Sequence, residues 1–573
     1  MKITKIKHGL AWAIMVTALG LVGCGGSSSK DGSPTPPVAG GGNNNGGDGG
    51  NNTGGDGDNN NGGDGDNGGA DDVQLSTGIF VDGPVAGVSY TTSPGNRSGI
   101  TNVRGEYDYA EGDKVSFRIG GIVFPEITAK GTVTPLDMGG EGATPASVQV
   151  VNILRLLQTL DEDGDPENGI SITTGTAEKL AEVAITDFSE SFDANSAAAI
   201  KTSTGLDLVD DIEAMEHFEN SIKSLLAGSW LYVEEDGGRN LLTFLPDVGE
   251  YLISHDFHDG ETQAAGTAEH GSYTWNIASG EIKVDLIAHS DAEGGFIEGS
   301  SRTMKLTING DTLTLIVGED GQAKFTAVKS SQSSLVGGWF LDEPEAENRN
   351  ILTIFPDNHY VIAHTNNQDA DGERVLAQSS EWGSYKKLDE ARIEINAPVV
   401  ETDGEGGLYN EDEESHTFDL VRAQANGDLE FVDAGEDESF AFRRLGAFPF
   451  TLSDGATERT VMLTRRAGSF QNEVNATYTL HFRDQDEQAT LTLAASGSGN
   501  LAMSDGERPV TEWQVNSAGT LIFKEQFIDE EEATEWRISP VAGKSGKTVL
   551  VEIGKAGADT PEGYIESYLM DLE

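Results

Sequence analysis

The sequence predicts a mainly β, multi-domain protein: an N-terminal β-sandwich with appended helices, then tandem antiparallel β-meander repeats with a barrel-like arrangement. Its 573 residues, at about 150 residues per domain, indicate three to four domains. Short alternating runs of apolar and polar residues, separated by Gly or acidic turns, fill most of the chain after residue 226, as is typical of antiparallel strands. A block that starts at Leu226 returns at Leu335, which indicates an internal duplication.

The charge balance excludes some partners. The chain has 37 Lys and Arg against 96 Asp and Glu, a formal net charge of −59. Such a surface repels phosphate backbones, so we expect no nucleic-acid partner, whereas divalent cations are attracted. The single cysteine excludes both an intramolecular disulfide framework and a Cys-rich metal site.

Residues 1–23 have the pattern of a secretory signal peptide. Three lysines lie within the first seven residues, and an apolar stretch over residues 9–22 follows, too short to span a membrane comfortably. The segment Leu21–Cys24 resembles the bacterial lipobox, which implies that the chain is cut before Cys24 and that this cysteine is lipidated. A buried structural thiol is the alternative interpretation, which the flanking sequence does not favour.

The residues after the cysteine bear on location. Gly25 and Gly26 follow it, without the Asp associated with inner-membrane retention, so we expect an outer-membrane lipoprotein held by its lipid anchor, on the cell surface or the periplasmic face. The several acyl chains of this class anchor far more firmly than one chain does. No later stretch reaches 18 apolar residues, so no transmembrane helix is predicted.

Residues 24–75 form a tether that consists mostly of Gly, Asn and Asp. This composition predicts a disordered coil with an r.m.s. reach on the order of 35–40 Å. A Gly-Gly-Asp-Gly motif recurs and resembles calcium-binding β-roll repeats. Its period and its lack of apolar residues favour a solvated leash instead.

Residues 76–225 begin with strand patterns. Gly78–Tyr90 runs through a Gly-Pro turn, and both Thr101–Tyr109 and Lys114–Ile119 read as strands. The segment resembles carboxypeptidase-regulatory-like, transthyretin-like β-sandwich modules, although Arg104-Gly105 replaces the Asn-Gly of that pattern. The resemblance implies a module that braces or presents rather than catalyses.

Three apolar stripes then predict helices that pack on a core. Thr176 is the expected N-cap of the second helix. The stripe residues are, in order, Val148, Val151, Leu154, Leu157 and Leu160; Leu180, Val183 and Ala184; and Leu208, Ile212, Met215, Ile222, Leu225 and Leu226.

An acidic loop between the first two predicted helices is a candidate Ca²⁺ site. Asp161, Asp163 and Asp165 follow the D-x-D-x-D start of EF-hand and dockerin-type loops, and Asn168 is a further candidate ligand. Pro166 stands where an EF-hand has Gly, so the closure differs. The alternative is a solvated acidic turn. No Lys or Arg lies between residues 155 and 179, so a cation was expected to supply the missing charge.

The internal duplication predicts two copies of one β-meander, over residues 226–334 and 335–446. Each copy opens on a G-x-W motif, with Trp230 in the first and Trp339 in the second, and this opening resembles lipocalins and other small up-and-down barrels. We expect both tryptophans to be core plugs, the alternative being that they line a ligand cavity. The matching segments are Arg239–Asp247 and Arg349–Asp357, Tyr251 and Tyr360, His255 and His364, and Gly271–Tyr273 and Gly383–Tyr385.

Residues 447–573 predict one more β-rich unit. A diverged third copy is one interpretation, although this unit lacks the G-x-W opening.

Catalytic motifs are scarce. No G-x-S-x-G elbow, H-E-x-x-H, C-x-x-C or phosphate loop occurs. The cluster His255-Asp256-Phe257-His258-Asp259 could hold a metal, but the second copy has no counterpart of His258, which favours a structural role. Acidic runs at 411–414 and 529–532 could pair carboxylates for glycoside hydrolysis, and exposed loops are the simpler interpretation.

The whole chain resembles adhesin-like multi-domain surface lipoproteins. The resemblance implies a non-enzymatic protein that presents β-modules to an unknown protein or polysaccharide. The alternatives are a lipocalin-like carrier of small apolar ligands and, with least support, an enzyme that acts on extracellular polymer.

Overall fold

The computed structural model describes residues 75–573, apart from short internal segments. Those segments are 190–191, 193, 236, 257–266, 290–294, 297–299, 318–320, 330–333, 344–347, 366, 369–373, 376–378, 390, 398–399, 402–406, 410–415, 434–437, 454–457, 467–469, 471–474, 484–486, 527–532 and 556–563. Strands account for 54% of the structure and helices for 12%, which confirms the predicted mainly β, multi-domain fold. No helix of the described part is long and apolar enough to cross a membrane.

The N-terminal module contains three small sheets and an aromatic core. One sheet has the order β5-β1-β9, a second has the order β4-β3-β6-β7 with β8 on β6, and in the third β10 pairs with β2. Phe80 stacks on Phe117 at 4.5 Å, because alternate residues of these strands point to the same interior. The strands are β1 (Leu75–Phe80), β2 (Val85–Ala86), β3 (Ser89–Ser93), β4 (Ser98–Ile100), β5 (Glu106–Ala110), β6 (Lys114–Ile119), β7 (Ile122–Val123), β8 (Ile127–Thr128), β9 (Thr132–Val133) and β10 (Ile170–Ser171).

The helices of this module differ in part from those predicted. The first stripe forms a helix, but Val148 is exposed and the buried face is formed mainly by Ile153, Leu154, Leu156 and Leu157. The second helix is short and ends at Lys179, before its predicted stripe of Leu180, Val183 and Ala184. Thr173 caps it, so the expected Thr176 cap is wrong. A helix over Ala194–Thr204 was not predicted. The helices are α1 (Pro135–Met138), α2 (Val148–Thr159), α3 (Thr174–Lys179), α4 (Ala194–Thr204) and α5 (Asp211–Ser224).

The first meander copy is a closed eight-stranded barrel in which each strand pairs with the next and β18 returns to β11. The strands are β11 (Gly228–Val233), β12 (Arg239–Leu245), β13 (Glu250–His255), β14 (Thr267–Asn276), β15 (Glu281–His289), β16 (Ser301–Asn309), β17 (Thr312–Val317) and β18 (Gly321–Ala327).

The second copy is a ten-stranded sheet whose end strands are not paired with each other in the described part of the chain, and we call it the second barrel because its two end strands follow each other directly in the chain. Its sheet runs β27-β25-β24-β21-β20-β19-β30-β29-β28, with β26 on β24. Only Asp419 separates β27 from β28, so both ends of the sheet belong to one run of chain. The strands are β19 (Gly337–Glu343), β20 (Asn348–Ile354), β21 (His359–His364), β22 (Asn367–Gln368), β23 (Arg374–Val375), β24 (Ser379–Lys387), β25 (Ile393–Ile395), β26 (Val400–Glu401), β27 (His416–Phe418), β28 (Leu420–Ala423), β29 (Asp428–Asp433) and β30 (Glu438–Arg444).

The C-terminal unit adds a hairpin and a third barrel. Strands β33 to β40 form a closed barrel with the same sequential order as the first, although the G-x-W opening is missing. The strands are β31 (Ala447–Ser453), β32 (Glu458–Thr464), β33 (Thr477–Phe482), β34 (Gln488–Leu493), β35 (Gly499–Met503), β36 (Gly506–Val515), β37 (Leu521–Glu525), β38 (Thr534–Pro540), β39 (Thr548–Lys555) and β40 (Tyr564–Leu572).

Apolar side chains fill the barrels. The first barrel buries Leu242, Phe244 and Phe325, and the third buries Leu491, Phe523 and Trp536. Strands such as β16 and β34 alternate buried with more exposed residues, and the buried side chains meet in a packed core inside each barrel.

The three barrels also pack against one another. Between the first two lies an apolar cluster that includes Leu252 and Phe340, and a buried hydrogen bond joins the hydroxyl groups of Ser229 and Thr353. Between the second and third, fully buried Arg465 pairs with Asp428 at 2.8 Å. A buried pair of this kind fixes geometry because neither partner can be left alone without a large desolvation penalty.

Candidate functional site

The predicted acidic loop is a tightly turned connection after α2. The Asp163 carboxylate accepts from the Asp165 amide and from Asn168 Nδ2, both at 3.1 Å. Asp161 Oδ1 accepts from the Ser171 amide at 2.8 Å. Short polar side chains that bond nearby backbone stabilise such turns, which explains why Asp and Asn alternate here.

Basic residues from the C-terminal unit pair with this loop. Arg459 on β32 lies 3.0 Å from Asp163, and Arg483, which directly follows β33, lies 2.6 Å from Asp165. The Lys544 amide also donates to Asp165 at 2.8 Å. The loop has no basic neighbour in sequence, as expected, and these partners come from distant strands.

Asp161 behaves differently from its neighbours. Burial, and then the adjacent Asp163 charge, raise the pKa of Asp161 to about 8. Burial alone would also raise the pKa of Asp163, but Arg459 and the Asn168 amide outweigh it and lower that pKa. At neutral pH the pair therefore holds one proton, which removes the repulsion that two charged carboxylates would have.

The predicted calcium ligands do not converge on one point. Asp161, Asp163 and Asn168 line a small cavity of about 100 Å³ together with Arg459, whereas Asp165 lies beside a larger cleft. Asn168 directs its amide nitrogen, not its oxygen, toward Asp163. In the part of the chain that the structure describes, no group of three or more His, Cys, Asp or Glu side chains is placed to hold a metal. Calcium binding stays a prediction.

The larger cleft lies between the acidic loop and the third barrel, with a volume of about 1,030 Å³. Charged groups of the loop and of Arg459 and Arg483 line it. The rings of Phe482 and Tyr568 line it as well, and they lie 5.4 Å apart, edge to face. It is thus a polar, aromatic-edged cleft, of the concave kind that binds ligands.

A buried histidine cluster lies beside the loop. His217 Nδ1 lies 3.0 Å from Glu167, and its Nε2 lies 3.1 Å from Ser221 Oγ and 3.2 Å from the Asp82 carbonyl. Burial would lower the pKa of His217, but Glu167 and Asp82 outweigh it and raise the pKa to about 8. A protonated imidazole donates at both nitrogens, so this arrangement favours a structural tie between α5 and the Gly83-Pro84 turn over a hydrolytic triad.

The two tryptophans occupy matching positions. Trp230 and Trp339 are both buried, each lies opposite a leucine of the next strand, and each indole donates to a carbonyl four residues earlier, at 3.0 and 2.9 Å. They pack with the cores of their barrels. Arg444 lies over the Trp339 ring at 4.3 Å.

Each copy also holds a buried glutamate that the sequence analysis missed. Tyr251 donates to Glu269 at 2.7 Å, and Tyr360 donates to Glu381 at 2.5 Å. Each glutamate then accepts a backbone amide from a returning loop. A sequence motif could have indicated this contact: Glu-Gly-Gly followed by an apolar residue occurs in both copies, at 293–296 and 405–408. A Cβ on the last glycine of each motif would overlap the glutamate, which explains the glycine.

The remaining residues singled out in the sequence do not belong to these sites. His255 contacts Asn240, and His364 contacts Asn350 in the same way, which fits a structural role in both copies. Cys24, His258, Asp259 and the acidic runs at 411–414 and 529–532 lie outside the described residues.

Comparison with known proteins gives no assignment. No family model matches the chain, and no curated protein matches it in sequence.

Proposed function

We propose that the protein is a non-enzymatic outer-membrane lipoprotein, anchored through Cys24, that presents its β-modules for binding on the cell surface or the periplasmic face. The signal-peptide pattern and the Gly/Asn/Asp tether at 24–75 support the anchor and the distance from the membrane.

The packed barrel interiors carry the proposal. Side chains such as Phe244 and Phe325 in the first barrel, and Phe523 in the third, take up the space in which a carrier would hold an apolar ligand. The barrels also bury polar and apolar contacts between them, which suits a rigid display scaffold. Binding then falls to outer surfaces and to clefts between modules.

The test uses the full chain in a Gram-negative host. Wild type should incorporate a palmitate probe, should fractionate with the outer membrane and should release neither reducing ends nor peptides from extracellular polymers. Cys24→Ala should lose the label and remain uncleaved, while Cys24→Ser controls for side-chain size. Normal labelling of either variant would refute the anchor, and polymer turnover by wild type would refute the non-enzymatic role.

A further inference from the structure

We propose that the cleft between the acidic loop and the third barrel binds a neutral oligosaccharide. The proposal rests on the binding role proposed above and names the ligand class for one site. The cleft volume of about 1,030 Å³ lies at the top of the range of roughly 300–1,000 Å³ typical of small-ligand pockets. It therefore suits a ligand of several rings.

The charged side chains of the cleft include guanidinium groups paired with carboxylates, and the pairing holds them in fixed positions. Arg459 pairs with Asp163, and Arg483 bridges Asp165 and Asp571 at 2.6 and 2.9 Å. Mutual pairing holds these groups in place, so a ligand does not have to order them. Arg459 is 28% exposed and Asp571 41% exposed, which leaves edges for further hydrogen bonds. The carboxylate can accept a hydrogen bond from one sugar hydroxyl, and the guanidinium beside it can donate a hydrogen bond to the neighbouring hydroxyl.

The aromatic edge supplies the second element of sugar recognition. Phe482 and Tyr568 are half-buried and line the same cleft. Their rings offer apolar area to the C–H face of a pyranose. The two rings contact each other edge to face at 5.4 Å, which holds them in place. The exposed Ser545 adds a hydroxyl at the rim.

The charges argue against other ligand classes. Five carboxylates and three basic side chains line the cleft, so phosphorylated, sulfated or uronic chains meet net repulsion. An apolar ligand would strip water from these groups without replacing their hydrogen bonds. A Lys-rich peptide would match the carboxylates but would meet Arg459, Arg483 and Lys544.

Calorimetric titration of the detergent-solubilised full chain tests the proposal. The probes are neutral hexasaccharides of glucose, mannose and galactose, hexagalacturonate, and a Lys-rich peptide. At least one neutral hexasaccharide should bind with a Kd below about 1 mM. Asp571→Asn removes an acceptor charge and should weaken binding about tenfold. Ser545→Trp places a large side chain at the rim from an exposed position and should abolish binding. Glu141→Gln is the control: Glu141 is exposed in the loop after α1, and its substitution should leave binding unchanged.

The possible outcomes separate the two proposals. No binding of any neutral probe, tighter binding of hexagalacturonate or the peptide, or binding that survives Ser545→Trp would each overturn the oligosaccharide site. The anchor and non-enzymatic role would stand in those cases, because palmitate labelling and polymer turnover test them. Sugar binding by a chain that is not lipidated would leave the cleft assignment intact and overturn only the anchor.

Discussion

Arg483 donates to Asp165 at 2.6 Å although 318 positions of sequence separate the two residues. The contact ties the acidic loop of the N-terminal module to the start of the third barrel. Asp165 is almost fully buried, and Arg483 also donates to Asp571 and Thr548. An ion-pair network at the cleft therefore joins the N-terminal module to the third barrel.

Arg483→Gln should lower the free energy of unfolding by about 2 kcal/mol, because Asp165 would keep a buried charge without its partner. Chemical denaturation of the full chain measures the change. Arg392→Gln, whose pair with Asp389 is exposed, is the matched control and should change stability by less than about 0.5 kcal/mol. Equal effects of the two substitutions would contradict a special role for the Arg483 contact.

The repeats could be predicted from the sequence because the motifs that identify them are short, local runs of residues. Trp230 and Trp339 sit in recurring G-x-W motifs, and their matching burial follows from equal strand registers. The acidic loop was also visible, but its partners Arg459 and Arg483 were not, since nothing local in sequence records a contact across 300 positions. The Ala-rich helix α4 lacked a clear apolar stripe and was missed for that reason.

The two tryptophans should be equally important to their barrels. Trp230→Ala or Trp339→Ala removes a large buried ring and should cost on the order of 3–5 kcal/mol of unfolding free energy. Trp→Phe at either position should cost less, because most of the packing is kept. Thermal unfolding followed by fluorescence gives the comparison, and a near-neutral Ala variant at either site would disprove the core-plug role.

The glycine beneath the buried glutamate of the second copy should tolerate no side chain. Gly407→Ala would force a methyl group into Glu381 and displace the loop that donates its Leu408 amide. A loss of about 1–3 kcal/mol is expected. Gly175→Ala is the control, because Gly175 lies in α3, where a Cβ would meet only Thr173 Oγ1 at an ordinary contact distance of 3.8 Å, and alanine favours helix. Stability unchanged by Gly407→Ala would show that this loop is not held as described.

Stability should fall as the pH rises from about 5 to 8, between the unfolded pKa values of four groups and their raised folded values. The folded-state pKa is raised to about 7 for Asp82 and to about 8 for Asp161, His217 and Glu552. Each group binds its proton more tightly when folded. Its contribution is complete below the unfolded pKa and is lost as the pH passes 7 to 8. In acid the trend reverses, because Asp163 and Asp428 have lowered pKa values and lose their contributions on protonation.

Melting temperatures measured from pH 4 to 9 should therefore peak near pH 5. Asp161→Asn imitates the protonated carboxyl and should flatten the alkaline limb, whereas Asp108→Asn, on an exposed strand position, should not. A melting temperature that rises between pH 5 and 8 would contradict these assignments.

Calcium binding is the prediction most changed by Arg459. The guanidinium lies 3.0 Å from Asp163 and already supplies the positive charge that the loop's carboxylates need. A Ca²⁺ ion must displace it, so millimolar Ca²⁺ should raise the melting temperature of wild type only slightly. Arg459→Gln removes that competitor and leaves Asp161 and Asp163 to attract the ion, so this variant should gain more from Ca²⁺ through binding to the native state. Mg²⁺ should substitute poorly, because it requires stricter octahedral geometry. Differential scanning calorimetry in excess Ca²⁺ and in chelator decides the matter. Identical curves for both proteins in the two conditions would establish that the arginines alone neutralise the loop.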